Sequence, residues 1–153
     1  MSTIDRTDRS QDEHERQRLA ALVNRLSDAD LARPIGDADG WTVGAILAHL
    51  AFWDRRAALL VERWQREGRP PGPSDLIPDI DMINLAALPQ WLAIAPRAAA
   101  NEALAVAEAA DSALDSASSE LIAQIVAAGL PMNPARAAHR REHIDEIEHA
   151  LRT

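Results

Sequence analysis

The chain has 153 residues, 47% of them hydrophobic, which fits one domain able to bury its own core. Its formal net charge is -8 and every basic residue is Arg, a balance that phosphate backbones repel and that speaks against nucleic-acid binding. Cysteine is absent, which excludes disulfides, thiolate ligands and a Cys nucleophile, and no apolar run reaches the length of a bilayer span.

The polar start "MSTIDRTDRSQDEHERQR" carries no apolar signal core, so the expectation is a cytoplasmic protein without a membrane segment. Ala, Leu, Arg and Glu are abundant while aromatics total 3%, a composition that favours helix and starves a sheet. The expected fold class is all-α, in a single domain over 1–153 with residues 1–9 open to fraying.

A first helix is predicted from about Ser10, as N-cap, to Leu26, since Leu19, Leu22, Val23 and Leu26 recur at helical spacing. "LARPIGDADG" then breaks the pattern with Pro34, Gly36 and Gly40. A second helix starts near Trp41 or Thr42 and reaches about Glu67, on a stripe running from Val43 through Leu50 and Ala57 to Trp64. His49 lies on the rim of that stripe, roughly 75° from its centre at about 100° per residue.

"GRPPGPSDLIP" follows as a stiff connector. Extended at ~3.1 Å per residue it reaches roughly 34 Å, against about 39 Å for the second helix. That reach permits a crossover between parallel helices as well as a simple hairpin. A third helical region spans roughly Asp81 to Ser116, divided by Pro89 and Pro96. "SSELIAQIVAAG" reads as a short helix with a Ser cap and a Gly stop. The last helix follows "LPMNP", with Pro134 near its first position, and runs to about Arg152.

That last helix holds "HRREHIDEIEH", with three histidines in a charge run. His139 and His143 are i and i+4, and Ile147 continues their line, so both point to the apolar side. His149 falls with Glu142, Asp145 and Glu146, while Arg141, Asp145, Glu148 and Arg152 form the wet face. Two imidazoles one turn apart can chelate one divalent ion, but they can equally be rim histidines bonded to helix-face carboxylates. His49 offers a third nitrogen. Three neutral imidazoles suit Zn, Ni or another borderline divalent ion, with a fourth position open to water or substrate.

Other polar residues carry weaker expectations. His14 falls with Arg18, Ala21 and Arg25, toward solvent. Asp54, on the buried stripe, is open to pairing with Arg55, Arg56 or a distant Arg, or to orienting a ligand histidine. Trp53, one turn after His49, is a candidate pocket wall, and Asn84 either a cap or a polar group lining a site.

"GWTVGAILAHLAFWDRRAALLVERW" and "AHRREHIDEIEHAL" together resemble the DinB/YfiT-like superfamily, which includes the mycothiol-dependent maleylpyruvate isomerase N-terminal domain and bacillithiol transferases. "DMINLAALPQW" resembles the third helix of that group. The resemblance implies an up-down-down-up four-helix bundle with the Pro-rich segment as crossover. It implies one divalent ion on His49, His139 and His143, and a homodimer. It departs at Gly44-Ala45, where many relatives carry an acidic residue. The function implied is a transferase or isomerase that uses a low-molecular-weight thiol on a small electrophile. Alternatives are a hydrolase that activates water on the same ion, and a non-catalytic metal-binding stress or ligand-sequestering protein.

Overall fold

The computed structural model describes residues 6–36, 40–129 and 131–153, and among them it is all-α, with no strand. The helices are α1 (Arg6–Arg25), α2 (Asp28–Leu31), α3 (Val43–Glu67), α4 (Ile80–Ala93), α5 (Pro96–Ser116), α6 (Ser119–Ala128) and α7 (Ala137–Arg152). None is long and apolar enough to cross a membrane.

Several boundaries differ from the sequence reading, each for a local reason. Ser10 is not a cap: α1 begins at Arg6, and Ser10 is an exposed position inside it. An exposed Ser inside a helix costs only tenths of a kcal/mol. The early turn is held from outside, since Arg9 donates to the Leu114 carbonyl at 2.6 Å and pairs with Asp115. Of the stretch expected to fray, residues 1–5 lie outside the described residues and 6–9 belong to α1.

The short α2 has a capping box that sequence reading passed over: Ser27 Oγ accepts from Asp30 N at 3.1 Å, and Asp30 accepts from Ser27 N at 3.0 Å. Arg97 closes the end of α1, donating to the carbonyls of Leu26 at 2.6 Å and Val23 at 3.3 Å. Thr42 caps α3 through Ala45 N at 3.1 Å, and Gly68 ends it at φ 65, a left-handed conformation that costs glycine nothing.

Pro89 does not divide the third region; it lies within α4. The carbonyl it orphans belongs to Leu85, an exposed residue, so water can take the lost bond. The break falls instead at Ile94, which is extended, and Ala95, which is not helical (φ -54, ψ 125), where Pro96 opens α5 and disfavours a helical residue before it. The short helix α6 has the expected Ser118 cap and Gly129 stop. Pro134 is not at a first helical position, because α7 starts at Ala137. Arg136, the N-cap, offers no side-chain cap; the carboxylate of Asp12 on α1 takes the Ala137 N–H at 2.7 Å instead.

α3 packs chiefly against α5, and α1 against α7; α1 also meets α5, and α3 touches α4 and α7. One buried cluster joins Leu19 and Leu22 of α1, Ile46, Leu47 and Leu50 of α3, Ala103 and Ala107 of α5, and Ile144 and Ile147 of α7. A second, toward the far end of α3, joins Val61 and Trp64 to Leu114, Leu121, Ile125 and Met132. The alanine face of α5 lets its backbone come close to α3, and Gly44 shows how close. A Cβ there would stand 3.0 Å from the Pro96 Cβ and 3.3 Å from the Leu31 carbonyl oxygen, so nothing larger than glycine fits without a shift. An acidic side chain at that position has no room.

Arg140, on the charge-rich helix, is 0% exposed. Its Nε donates to Asp54 at 3.2 Å, its two Nη groups to Asp111 at 2.9 and 2.8 Å, and again to the carbonyls of Asp12 at 3.1 Å and Ala107 at 3.2 Å. All five N–H donors of the guanidinium are used. Burial works against this charge, but Asp54 and Asp111 outweigh it and hold the pKa above the ordinary arginine value. The outer face of α7 is zipped to α1 as well, through Arg18–Asp145 at 2.9 Å, Arg25–Glu148 at 3.0 Å and Arg141–Glu15 at 3.0 Å.

Candidate metal centre

His49 sits in the second turn of α3 and is buried, not at a rim. Its edge of the α3 stripe is covered by α4, which brings Leu88 and Trp91 against Ala45 and Ala48. The imidazole is held between two indoles, Trp41 at 5.6 Å and 86° and Trp91 at 5.3 Å and 82°, both edge-to-face. Two of the four tryptophans therefore fix the ring plane of one histidine.

His139 and His143 meet this ring from α7. His49 Nε2 lies 3.0 Å from His139 Nε2, which lies 3.2 Å from His143 Nε2. One ligand atom from each of the three residues falls within 4.8 Å of the others. Two nitrogens bonded to one tetrahedral zinc at ~2.0–2.1 Å would stand roughly 3.3 Å apart, close to the two Nε2 spacings about His139.

The protonation chemistry favours a cation over a proton in this nest. Burial, and then the neighbouring His143, push His49 down from 6.5 to about 4. Burial and then His143, Arg136 and His49 push His139 down to about 2. Near neutral pH both rings are neutral bases with lone pairs to offer. His143 Nδ1 lies 2.9 Å from Glu146 Oε2, and a carboxylate can only accept, so Nδ1 carries the proton and Nε2 is free to coordinate. Glu146 had been grouped with the solvent-facing His149; its i+3 spacing from His143 is the signal that would have found it. His49 Nδ1 is buried with no hydrogen-bond partner among the described residues, and its Nε2 faces the other two rings. The donor set and its setting fit a borderline divalent ion such as Zn or Ni.

The three rings line a cavity of ≈ 680 Å³ between α3, α4, the segment before α7, and α7 itself. Trp53 is part of its wall, and its Nε1–H donates to Asn84 Oδ1 at 2.9 Å, so Asn84 is a lining group and not a cap. The cap of α4 is Asp79, which accepts from Met82 N at 3.2 Å. Asp54 reaches no histidine. It takes the distant-Arg option, with Arg136 Nε at 2.8 Å and Arg140 at 3.2 Å. His14 and His149 are both exposed and apart from the cluster. Glu142, Arg56 and Arg136 also border the cavity, none of them singled out from the sequence as site residues.

Compared with known proteins, the chain matches a family model described as the mycothiol maleylpyruvate isomerase N-terminal domain over residues 13–148. No curated protein and no solved structure matches it.

Proposed function

The chain belongs to the mycothiol maleylpyruvate isomerase N-terminal domain family, and from that premise we propose that it is a metal-dependent transferase or isomerase using a low-molecular-weight thiol on a small electrophile. The observation that carries this reading is the convergence of His49, His139 and His143, with their Nε2 atoms 3.0 and 3.2 Å apart, on the wall of a cavity large enough for a small molecule. These three residues would hold one divalent ion, Zn or Ni by donor type. Held there, such an ion would lower the pKa of a thiol and supply thiolate near neutral pH.

The chain's own residues do the rest. Glu146 fixes the tautomer of His143, and Trp41 and Trp91 fix the plane of His49. Trp53 and Asn84 give the ligand one apolar wall and one amide edge. Hydrolysis of a small molecule is the second reading. Asp54 cannot be its base, being locked between two arginines, but Glu142 borders the cavity next to the histidines.

The same proposal takes the helices as an up-down-down-up bundle, with the Pro-rich segment 68–78 and α4 together carrying the chain back along α3 to the start of α5. Its support is that Gly44 at the start of α3 lies against Pro96 at the start of α5, while Gln65 near the end of α3 accepts from Ser118 N just past the end of α5, at 3.1 Å. It takes the protein as a cytoplasmic homodimer. The strip Leu76, Ile77, Met82, Leu85 and Leu92 is exposed and apolar, and a second copy would cover it. Sedimentation at micromolar concentration reads this, and a monomer would remove it.

The function is tested by following adduct formation between a panel of small thiols and a soft electrophile, with the metal present and removed. Rate enhancement that needs both metal and thiol is the expected result. Turnover without thiol favours hydrolysis, and no turnover with any pair favours a binding protein.

A further inference from the structure

Arg56 stands in the cavity wall two turns along α3 from His49. His49, Trp53 and Arg56 are i, i+4 and i+7, on one face of the helix, with about 10 Å of axial rise from first to last. The guanidinium lies over the Trp53 ring at 5.8 Å and donates through Nη1 to the Pro131 carbonyl at 2.9 Å. Among the described residues no carboxylate comes within ion-pair distance of it. Its neighbours differ: Arg55 pairs with Glu102, and Arg136 has Asp54 at 2.8 Å. Burial, and then the nearby charge of Arg136, pull the Arg56 pKa below the ordinary arginine value, as expected of a cation lacking a counter-charge.

The acidic groups of the cavity lie elsewhere. Glu142 and Glu146 follow Arg136 on α7 by six and ten residues, roughly 9 and 15 Å along the axis, with the histidine pair among them. Glu146 is already engaged by His143. The cavity thus has at Arg56 a cation without a carboxylate partner among the described residues, and the imidazoles of His49, His139 and His143 farther along. A planar guanidinium set over an indole, with donors to spare, is suited to gripping a carboxylate in two-point fashion.

We infer that Arg56 is an anion-binding position of this cavity, taking a carboxylate on the ligand whose other end reaches His49, His139 and His143. Only the second half of this inference rests on the proposed function; capture of a carboxylate by Arg56 stands without it.

The probes are glutarate and its neutral diamide, titrated into the full-length chain while tryptophan fluorescence is followed. Wild type should bind glutarate about ten-fold more tightly than the diamide, the size of one charge-assisted bond. Arg56→Gln should lose that preference, and Arg55→Gln should keep it. Arg56→Lys, which retains the charge, should keep part of it, and this second variant decides the matter if Arg56→Gln folds poorly. Equal affinity of wild type for the two probes, or a preference unchanged in Arg56→Gln and Arg56→Lys alike, overturns the inference.

Metal content measured on the same samples separates the two readings. Arg56-dependent glutarate binding in a chain that holds no metal removes the metal proposal and leaves this one, whereas metal without Arg56 dependence does the reverse. A second pair, 4-mercaptobutyrate and its amide, locates the anion. A preference confined to glutarate assigns the carboxylate to the electrophile, and one shared by the mercapto pair extends it to the thiol.

Discussion

Imidazoles converging in a buried nest make the protein acid-sensitive in a direction that can be worked out. The unfolded chain takes up protons on histidine near 6.5, but folded His49 does so only near 4 and His139 near 2. The unfolded state therefore binds more protons below 6.5, and the metal-free protein loses stability as pH falls through that window. His49 alone accounts for on the order of 3 kcal/mol between 6.5 and 4. Asp12 works the other way: burial raises it from 3.8 to about 6, so its proton is favoured in the folded state and its contribution fades as pH rises. Asp12→Asn, which keeps an acceptor for Ala137 N, should make the acid loss steeper in chemical denaturation between pH 6.5 and 4. A slope shallower than wild type would contradict this. At this scale the spacing of His139 and His143 was legible because periodicity tells which face a residue occupies. Glu146 was legible in the same way, through its i+3 spacing from His143, whereas the roles of Arg140 and Arg56 depend on partners from other elements that one helix pattern does not contain.

Between elements, the deciding features are close approaches and covers. The sequence shows the stripe of α3 but not what lies over its edge, and α4 over that edge turns His49 from a rim residue into a buried one. The stops at Gly68 and Gly129 were legible as left-handed or positive-φ positions that glycine alone takes cheaply. Pro89 and Ser10 misled because propensity rules assume a typical surrounding, and each sits where solvent removes the penalty. Gly44 gives a sharp test. In a free helix Gly→Ala gains about 1 kcal/mol, but a Cβ 3.0 Å from Pro96 brings an overpacking cost of about 1–3 kcal/mol. Gly44→Ala should thus be neutral to destabilising by up to about 2 kcal/mol in urea unfolding. Stabilisation by about 1 kcal/mol would mean that α3 and α5 are farther apart than described.

For the whole molecule, composition alone indicated an all-helical chain, and the family match over residues 13–148 agrees with the resemblance carried by the two histidine-bearing helices. The link that holds α1, α3, α5 and α7 in one register was hidden. Arg140 sits among Arg, Glu and Asp residues that do face water, and nothing in the pattern marks it as the one that turns inward. Its five bonds reach Asp54 on α3, Asp111 and Ala107 on α5, and Asp12 on α1. Arg140→Met takes one of two arginines from each of the carboxylates Asp54 and Asp111, which keep Arg136 and Arg16, and should cost about 2–4 kcal/mol in urea unfolding through the lost charge-assisted bonds. A loss below about 1 kcal/mol would show that the network is solvated and does not brace the fold.

The most direct test of the metal centre is elemental analysis of the chain purified without an affinity tag. Wild type, His14→Ala and His149→Ala should each carry close to one divalent ion per chain, and His49→Ala/His139→Ala should carry none. Full metal content in the double variant, or its loss in His149→Ala, would contradict the assignment of His49, His139 and His143.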